Sequence, residues 1–276
     1  MLLALLSLGC LGRGSGSASG ADPLRIGTSG DYRPFSVAVA GGETRTRGFS
    51  VDLGEAYAAA TGRRVEWVPF AWRDLARDLA ADRFDLALSG VTVRADRSIA
   101  GRFSLPVTVS GAVVLAPRAG ALRDAEALDA PDLTFAVNAG GHLERTARAL
   151  FPDATIVPVP ENAAVLDRLD APGIDAVVTD SLEAPHWQAR RPGLRAIGPL
   201  TRDRKAAWFP IEHDTERARF DAWLLEAEEA GLLSMLRDRH GLPPDRTADV
   251  VPALLARLDE RLSLMQEVAR VKRVMG

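Results

Sequence analysis

Two carboxylates three residues apart, Asp180 and Glu183, follow the apolar run of residues 174–178. The run reads as a buried strand, and Thr179-Asp180 marks its exit into a polar turn and a helix. At the carboxyl edge of an open α/β sheet such side chains meet ligands. Both carboxylates would then reach one rim, one on the strand end and one on the first helical turn. The same pattern also suits a plain helix N-terminus, with Asp180 or Ser181 as cap and Glu183 favoured by the helix dipole.

Other strand ends carry polar groups to the same edge. Residues 24–28 read as a strand running into the turn-rich Ser29-Gly30-Asp31-Tyr32-Arg33-Pro34-Phe35. Residues 64–70 alternate as a strand and deliver Trp72. Residues 84–88 form a strand ending in Ser89-Gly90, with Thr92 beyond. Helical spacing over 49–60 stops at Gly62, and a second helix is predicted over 72–81. Gly41-Gly42 predicts a hairpin tip. The alternation argues a parallel sheet with crossovers, and Asp31, Trp72, Ser89 and Thr92 then share one rim.

An apolar strand over 109–116 follows, and the alternation restarts. Strands are predicted over 133–138, 154–160, 174–180, 194–197 and 205–211. Helices are predicted over 142–150, 161–169, 181–190 and 214–240, the last broken near Gly231. The fold class is α/β with two lobes, the chain crossing between them near 110–116 and 198–205. Residues 23–112 and 206–243 would form one lobe and 113–205 the other. Beyond Pro243-Pro244, residues 249–274 carry one long amphipathic helical pattern.

The chain of 276 residues is 26% charged and 47% hydrophobic, a globular composition. A net charge of −3 with no basic block argues against nucleic acid as a partner. His142, His186, His213 and His240 show no metal-ligand spacing, so neither metal nor cofactor is expected. Residues 1–11 are almost wholly apolar and 12–20 are rich in Gly, Ser and Ala, the plan of a secretory signal too short to span a bilayer. Ala18-Ser19-Gly20 offers a cleavage site, while Leu6-Ser7-Leu8-Gly9-Cys10 is an imperfect lipobox. The expectation is a periplasmic or exported protein with a leader over 1–22. It would touch a membrane only through a lipid on Cys10, the sole cysteine.

Several segments together resemble the periplasmic solute-binding proteins of the polar amino-acid class, which share a bilobal type II fold. They are Gly27-Thr28 with Tyr32 to Phe35, Gly48-Phe49-Ser50-Val51-Asp52-Leu53, Asp82-Arg83-Phe84-Asp85, and Ser89-Gly90-Val91-Thr92 with Arg97 and Phe103-Ser104-Leu105-Pro106. The resemblance implies that Arg97 grips a ligand carboxylate and that Asp180 holds an α-amino group. A guanidinium fork matches a carboxylate in a bidentate way.

Within that class the chain is similar to the cyclohexadienyl dehydratases, exported enzymes that act on prephenate and arogenate. The likeness rests on Thr28 to Phe35, Trp72, Asp82 to Gly90, Val137-Asn138-Ala139-Gly140-Gly141, Thr179 to Ala184 and Lys205-Ala206. It implies a general acid at Glu183, its pKa raised by Asp180, Asp31 and the substrate's own carboxylates, with Lys205 across the cleft opposing that rise or fixing Glu183's position. It also implies substrate contacts at Asn138, Gly140, Gly141 and Trp72. Two departures stand out. Gly140-Gly141-His142-Leu143-Glu144 replaces the Gly-Gly-Thr-Asn-Glu common in these enzymes, so either His142 takes over a contact or the substrate range differs. Arg94 stands where binding proteins carry threonine. Prephenate and arogenate stay open as substrates, as does oligomeric state. The alternative is a non-catalytic amino-acid carrier for a membrane transporter; a sensor module is a third and weaker reading.

The tail, residues 259–272, resembles the first helix of the exported all-α chorismate mutases, with Arg261 and Lys272 at that family's substrate cations. Eleven residues apart, they fall on one helix face. The helices that would complete a mutase do not follow in this sequence, so the tail is expected to be inactive as one unless the natural chain continues beyond Gly276.

Overall fold

Two five-stranded mixed sheets form the centres of two α/β lobes. The computed structural model describes residues 22–39 and 45–244. Cys10, the leader, the hairpin tip at Gly41-Gly42 and the 249–274 pattern with Arg261 and Lys272 lie outside the described residues.

The first sheet has the order Val65–Pro69, Leu24–Thr28, Leu86–Ala87, Trp208–Pro210, Gly101–Phe103. The second has the order Thr155–Val159, Thr134–Asn138, Ala176–Asp180, Ala112–Pro117, Leu194–Ile197. The expected parallel pairing holds for the first three strands of each sheet. It fails at Trp208–Pro210 and Ala112–Pro117, which run antiparallel to their neighbours. Each of these is the strand by which the chain enters a sheet from the other lobe, so each arrives at the opposite end.

Between the lobes, Thr108–Ser110 and Asp203–Lys205 pair antiparallel as a two-stranded tie. The predicted strand over 109–116 is therefore two strands broken at Gly111, where a Cβ would lie 2.1 Å from the Thr201 carbonyl oxygen. The strand predicted over 205–211 divides in the same way, and Lys205 lies on the tie rather than in a sheet.

Helices start and stop for local reasons. Phe49–Ala60 buries Phe49, Leu53 and Tyr57, four residues apart on one face. These pack with Phe209, Phe220 and Leu224 in the first core, each such side chain stabilising by about 1.5–3 kcal/mol when fully buried. Gly231, at φ 76°, separates Asp214–Glu229 from Leu232–His240. The helix predicted over 72–81 is only Leu75–Ala80, because Ala71 to Asp74 closes a turn first. Residues 161–169 divide into Asn162–Val165 and a 3₁₀ segment, Leu166–Asp170. The helix expected from 181 starts at Ala184, so Glu183 sits at its N-cap position and not in its first turn.

Gly48 shows how the first core depends on one backbone conformation. At φ 138° and ψ 176° it occupies a region open essentially to glycine alone, and a Cβ would lie 2.3 Å from the Phe35 carbonyl oxygen. That carbonyl and its Pro34 neighbour receive the Ser50 and Phe49 amides, locking the start of the helix to the 32–35 turn. Gly48→Ala is expected to destabilise the protein by about 1–3 kcal/mol, read as a lower urea midpoint with an unchanged slope.

Candidate functional site

Every residue of Ala176–Asp180 is buried, and the strand delivers Asp180 to the cleft between the lobes. One carboxylate oxygen, Oδ1, accepts the amides of Leu182 at 2.9 Å and Glu183 at 3.0 Å, closing the turn. The other, Oδ2, lies 3.1 Å from Lys205 Nζ and accepts the Tyr32 hydroxyl. Asp180 thus caps the turn and anchors an ion pair. Lys205 also donates to the Tyr32 hydroxyl at 3.0 Å and to Thr92 Oγ1 at 2.9 Å. Its three N–H groups meet three acceptors. The ion-pair partner of Lys205 is Asp180.

Glu183 is 2% exposed. Thr179 Oγ1 donates to its Oε2 at 2.7 Å, and Asn162 Nδ2 to its Oε1 at 2.9 Å. Burial, followed by the charge on Asp180 and more weakly that on Asp31, pushes its carboxyl well above the usual range; the two hydrogen bonds oppose this and lose. Asp31 is also raised, mainly by burial, although the Trp72 indole N–H donates to it at 3.2 Å.

The cleft cavity is lined by Tyr32, Trp72, Gly90, Thr92, Arg97, Asn138, Gly141, His142, Leu143, Asn162 and Lys205. It encloses about 40 Å³, room for a water or two, so a ring-bearing ligand enters only when the lobes part. Arg97 is 7% exposed and donates to the Thr92 carbonyl at 3.1 Å. Among the described residues no carboxylate lies within ion-pair distance of it. Burial first, then the charge of Arg94, brings its guanidinium down to about 10, which still leaves it cationic at neutral pH. Asn138 Nδ2 faces the carbonyls of Val159 and Pro160 at 3.4 Å. His142 Nε2 lies 2.9 Å from Asp203 Oδ2 on the tie. Burial alone would raise Asp203, but His142, Lys205 and Thr201 outweigh it and lower its pKa.

Of the expected site residues, Trp72, Thr92, Arg97, Asn138, Gly141, His142 and Lys205 therefore share one cavity. Five others do not line it. Ser89 is tied into a hydroxyl cluster with Ser29 and Ser36 at 2.9 and 2.6 Å. The Gly140 amide is taken by Glu144 Oε2 at 2.7 Å; at φ 72°, its missing Cβ lets the loop approach Arg73 of the other lobe. Asp180 is covered by Tyr32 and Lys205. Glu183 lies behind Asn162, which also donates to the Asp31 carbonyl at 3.1 Å, and Asp31 lies on the same far side. Asn162 and Tyr32 were not among the expected site residues. Asn162 follows the end of Thr155–Val159, so the strand-end rule that found Asp180 would also have found it.

Asp82, Asp85 and His213 could between them offer a metal three ligand atoms, but both aspartates are already engaged by Arg25.

Two lobes joined by a two-stranded tie, with polar groups converging from both, define a type II periplasmic-binding-protein fold. Residues 24–244 match the bacterial extracellular solute-binding proteins, family 3, and the chain belongs to that family. It is 34% identical over 215 residues to a cyclohexadienyl dehydratase of Pseudomonas aeruginosa, covering 76% of this chain and 79% of that protein. It is 24% identical to the arginine-binding extracellular protein ArtP of Bacillus subtilis, covering 83% and 90%. Among solved structures it is similar to the ancestral amino acid-binding protein AncCDT-1, described as a precursor of cyclohexadienyl dehydratase. That match has 28% identity and a TM-score of 0.73, covering 79% of this chain and 95% of that one. The family is one of extracellular proteins, which implies export. No helix among the described residues is long and apolar enough to cross a membrane.

Two outcomes follow from the buried charges. Lys205→Met leaves Asp180 buried without its cation and is expected to destabilise by about 3 kcal/mol. Adding Asp180→Asn should recover much of that loss in thermal unfolding. Because the Glu183 pKa is raised in the folded state, its contribution to stability is full at low pH and is lost as pH rises through the folded value. Glu183→Gln should therefore make the protein more stable than wild type, by a margin that grows toward alkaline pH in denaturant titrations.

Proposed function

We propose that the protein is an exported dehydratase–decarboxylase that converts prephenate to phenylpyruvate. The observation that carries this reading is the division of labour between the two carboxylates. Asp180 is matched by Lys205 and Tyr32, so an amino-acid ammonium finds no free anion on the cavity wall. Burial and the charge of Asp180 push the Glu183 carboxyl beside it well above its usual range, toward the protonated form. A carboxylic acid kept protonated near neutral pH is what loss of a ring hydroxyl needs. The unpaired Arg97 guanidinium, with Lys205 nearby, suits a dianion.

In the reaction the Glu183 proton passes to the ring hydroxyl, the C–O bond breaks and water leaves. The electron pair of the breaking carbon–carboxylate bond enters the ring, which becomes aromatic as CO2 departs. Arg97 would hold a substrate carboxylate, with Asn138, the Gly141 backbone and His142 around the side-chain carbonyl. Trp72 would wall the ring. Since Asn162 spans from Asp31 of one lobe to Glu183 of the other, opening of the lobes would release it and let the substrate hydroxyl meet the acid.

The family's amino-acid carriers supply a second reading. Arg97 favours it, because a lone guanidinium is what an α-carboxylate requires. The two are separated by mixing the protein with prephenate at neutral pH, following phenylpyruvate, and titrating amino acids by calorimetry. The expected result is turnover, reduced at least about 10²-fold by Glu183→Gln, with no amino-acid binding. Micromolar amino-acid binding without turnover would sink the dehydratase reading. A lipid on Cys10 belongs to this proposal only as a means of retention at the membrane; mass spectrometry of the exported protein tests it.

A further inference from the structure

The reaction above takes up one proton per turnover. Water leaves carrying the Glu183 proton, CO2 leaves with none, and the acid is left as a carboxylate that solvent must recharge. Glu183 is 2% exposed and does not line the cleft cavity. It lines a different one, of about 500 Å³, behind the cleft. That cavity lies between the 30–38 segment of the first lobe and Ala184–Arg190 of the second, and His186 and Asp31 share it. His186 is three residues beyond Glu183, its backbone N–H donating to the Glu183 carbonyl at 2.9 Å, so the two side chains share a helical face.

We infer that this rear cavity is the proton-return route of Glu183 and that His186 carries the proton from bulk solvent into it. This rests on the dehydratase reading. The step balances: the imidazolium gives its proton through cavity water to the Glu183 carboxylate, and the neutral imidazole takes another from buffer or solvent. Burial first, and then the charge of Arg33, lowers the His186 pKa, which favours release of that proton. Asp180 and Asp31 face Glu183. Arg33 and Arg190 share the rear cavity, and Arg47, Arg239 and His240 line the adjoining space that His186 also reaches. Return by the rear would let Glu183 be recharged while the cleft still holds product. His186 touches no wall of the cleft cavity, so it is a relay and not a catalytic residue.

The test compares full-length wild type, His186→Ala and His186→Gln on saturating prephenate, in buffer at a few millimolar and again with added imidazole. Both variants are expected to lose about tenfold in kcat at low buffer, with KM unchanged. Imidazole should restore them while leaving wild type unaffected. Unaltered kcat in both variants at low buffer would overturn the relay while leaving the dehydratase reading intact. So would a loss that imidazole fails to rescue, since a structural role predicts that pattern. If wild type itself shows no turnover, the dehydratase reading fails, and the relay with it.

Discussion

The cleft is organised by one buried ion pair and the tyrosine hydroxyl that joins it to the other lobe. Asp180 comes from a strand end in the second lobe, Tyr32 from the short strand Asp31–Tyr32 in the first, and Lys205 from the tie that joins them. Removing a lysine and an aspartate from water costs several kcal/mol each, and their attraction offsets this only when every remaining donor and acceptor is matched. Here they are: Lys205 has three acceptors, and Asp180 has two amides besides its cation and a hydroxyl. A network satisfied in one arrangement only is less a source of net stability than a means of specifying how the lobes meet.

Much of this was legible in the sequence, for a physical reason. Strand ends in α/β sheets deliver side chains to a common rim, so runs that stop in Thr-Asp or Ser-Gly announce rim residues. That logic found Thr92, Asn138 and Asp180, and periodicity found Phe49–Ala60, His142–Leu150 and the break at Gly231. It could not say which rim groups would be consumed by one another. Ser89 lies at a strand end yet bonds to two other serines, and the Gly140 amide bonds to Glu144 within its own loop. Nor could it find the tie. The apolar run over 109–116 reads as one strand because Gly111 interrupts it only when the Thr201 carbonyl approaches from 90 residues away in the chain.

The small cavity and the cross-lobe bonds have a shared consequence. Tyr32 to Asp180, Asn162 to the Asp31 carbonyl and His142 to Asp203 all shorten the path between the parts of the cleft. The polar groups of the closed cleft are thus largely engaged by one another, and a ring-bearing ligand must displace or rearrange some of these contacts.

The same fold serves carriers and an enzyme among this chain's relatives, so the distinction lies in the electrostatic surroundings of individual side chains. Two carboxylates three residues apart, both buried, cannot share one character when a cation reaches only one of them. Lys205 reaches Asp180, whereas the Glu183 carboxyl is held by Thr179 and Asn162. Buried, with no cation of its own and a charged neighbour, the Glu183 carboxyl is pushed well above its usual range. Two carboxylates at one strand end thus acquire different electrostatic surroundings, as a by-product of a geometry that gives only one of them a cation.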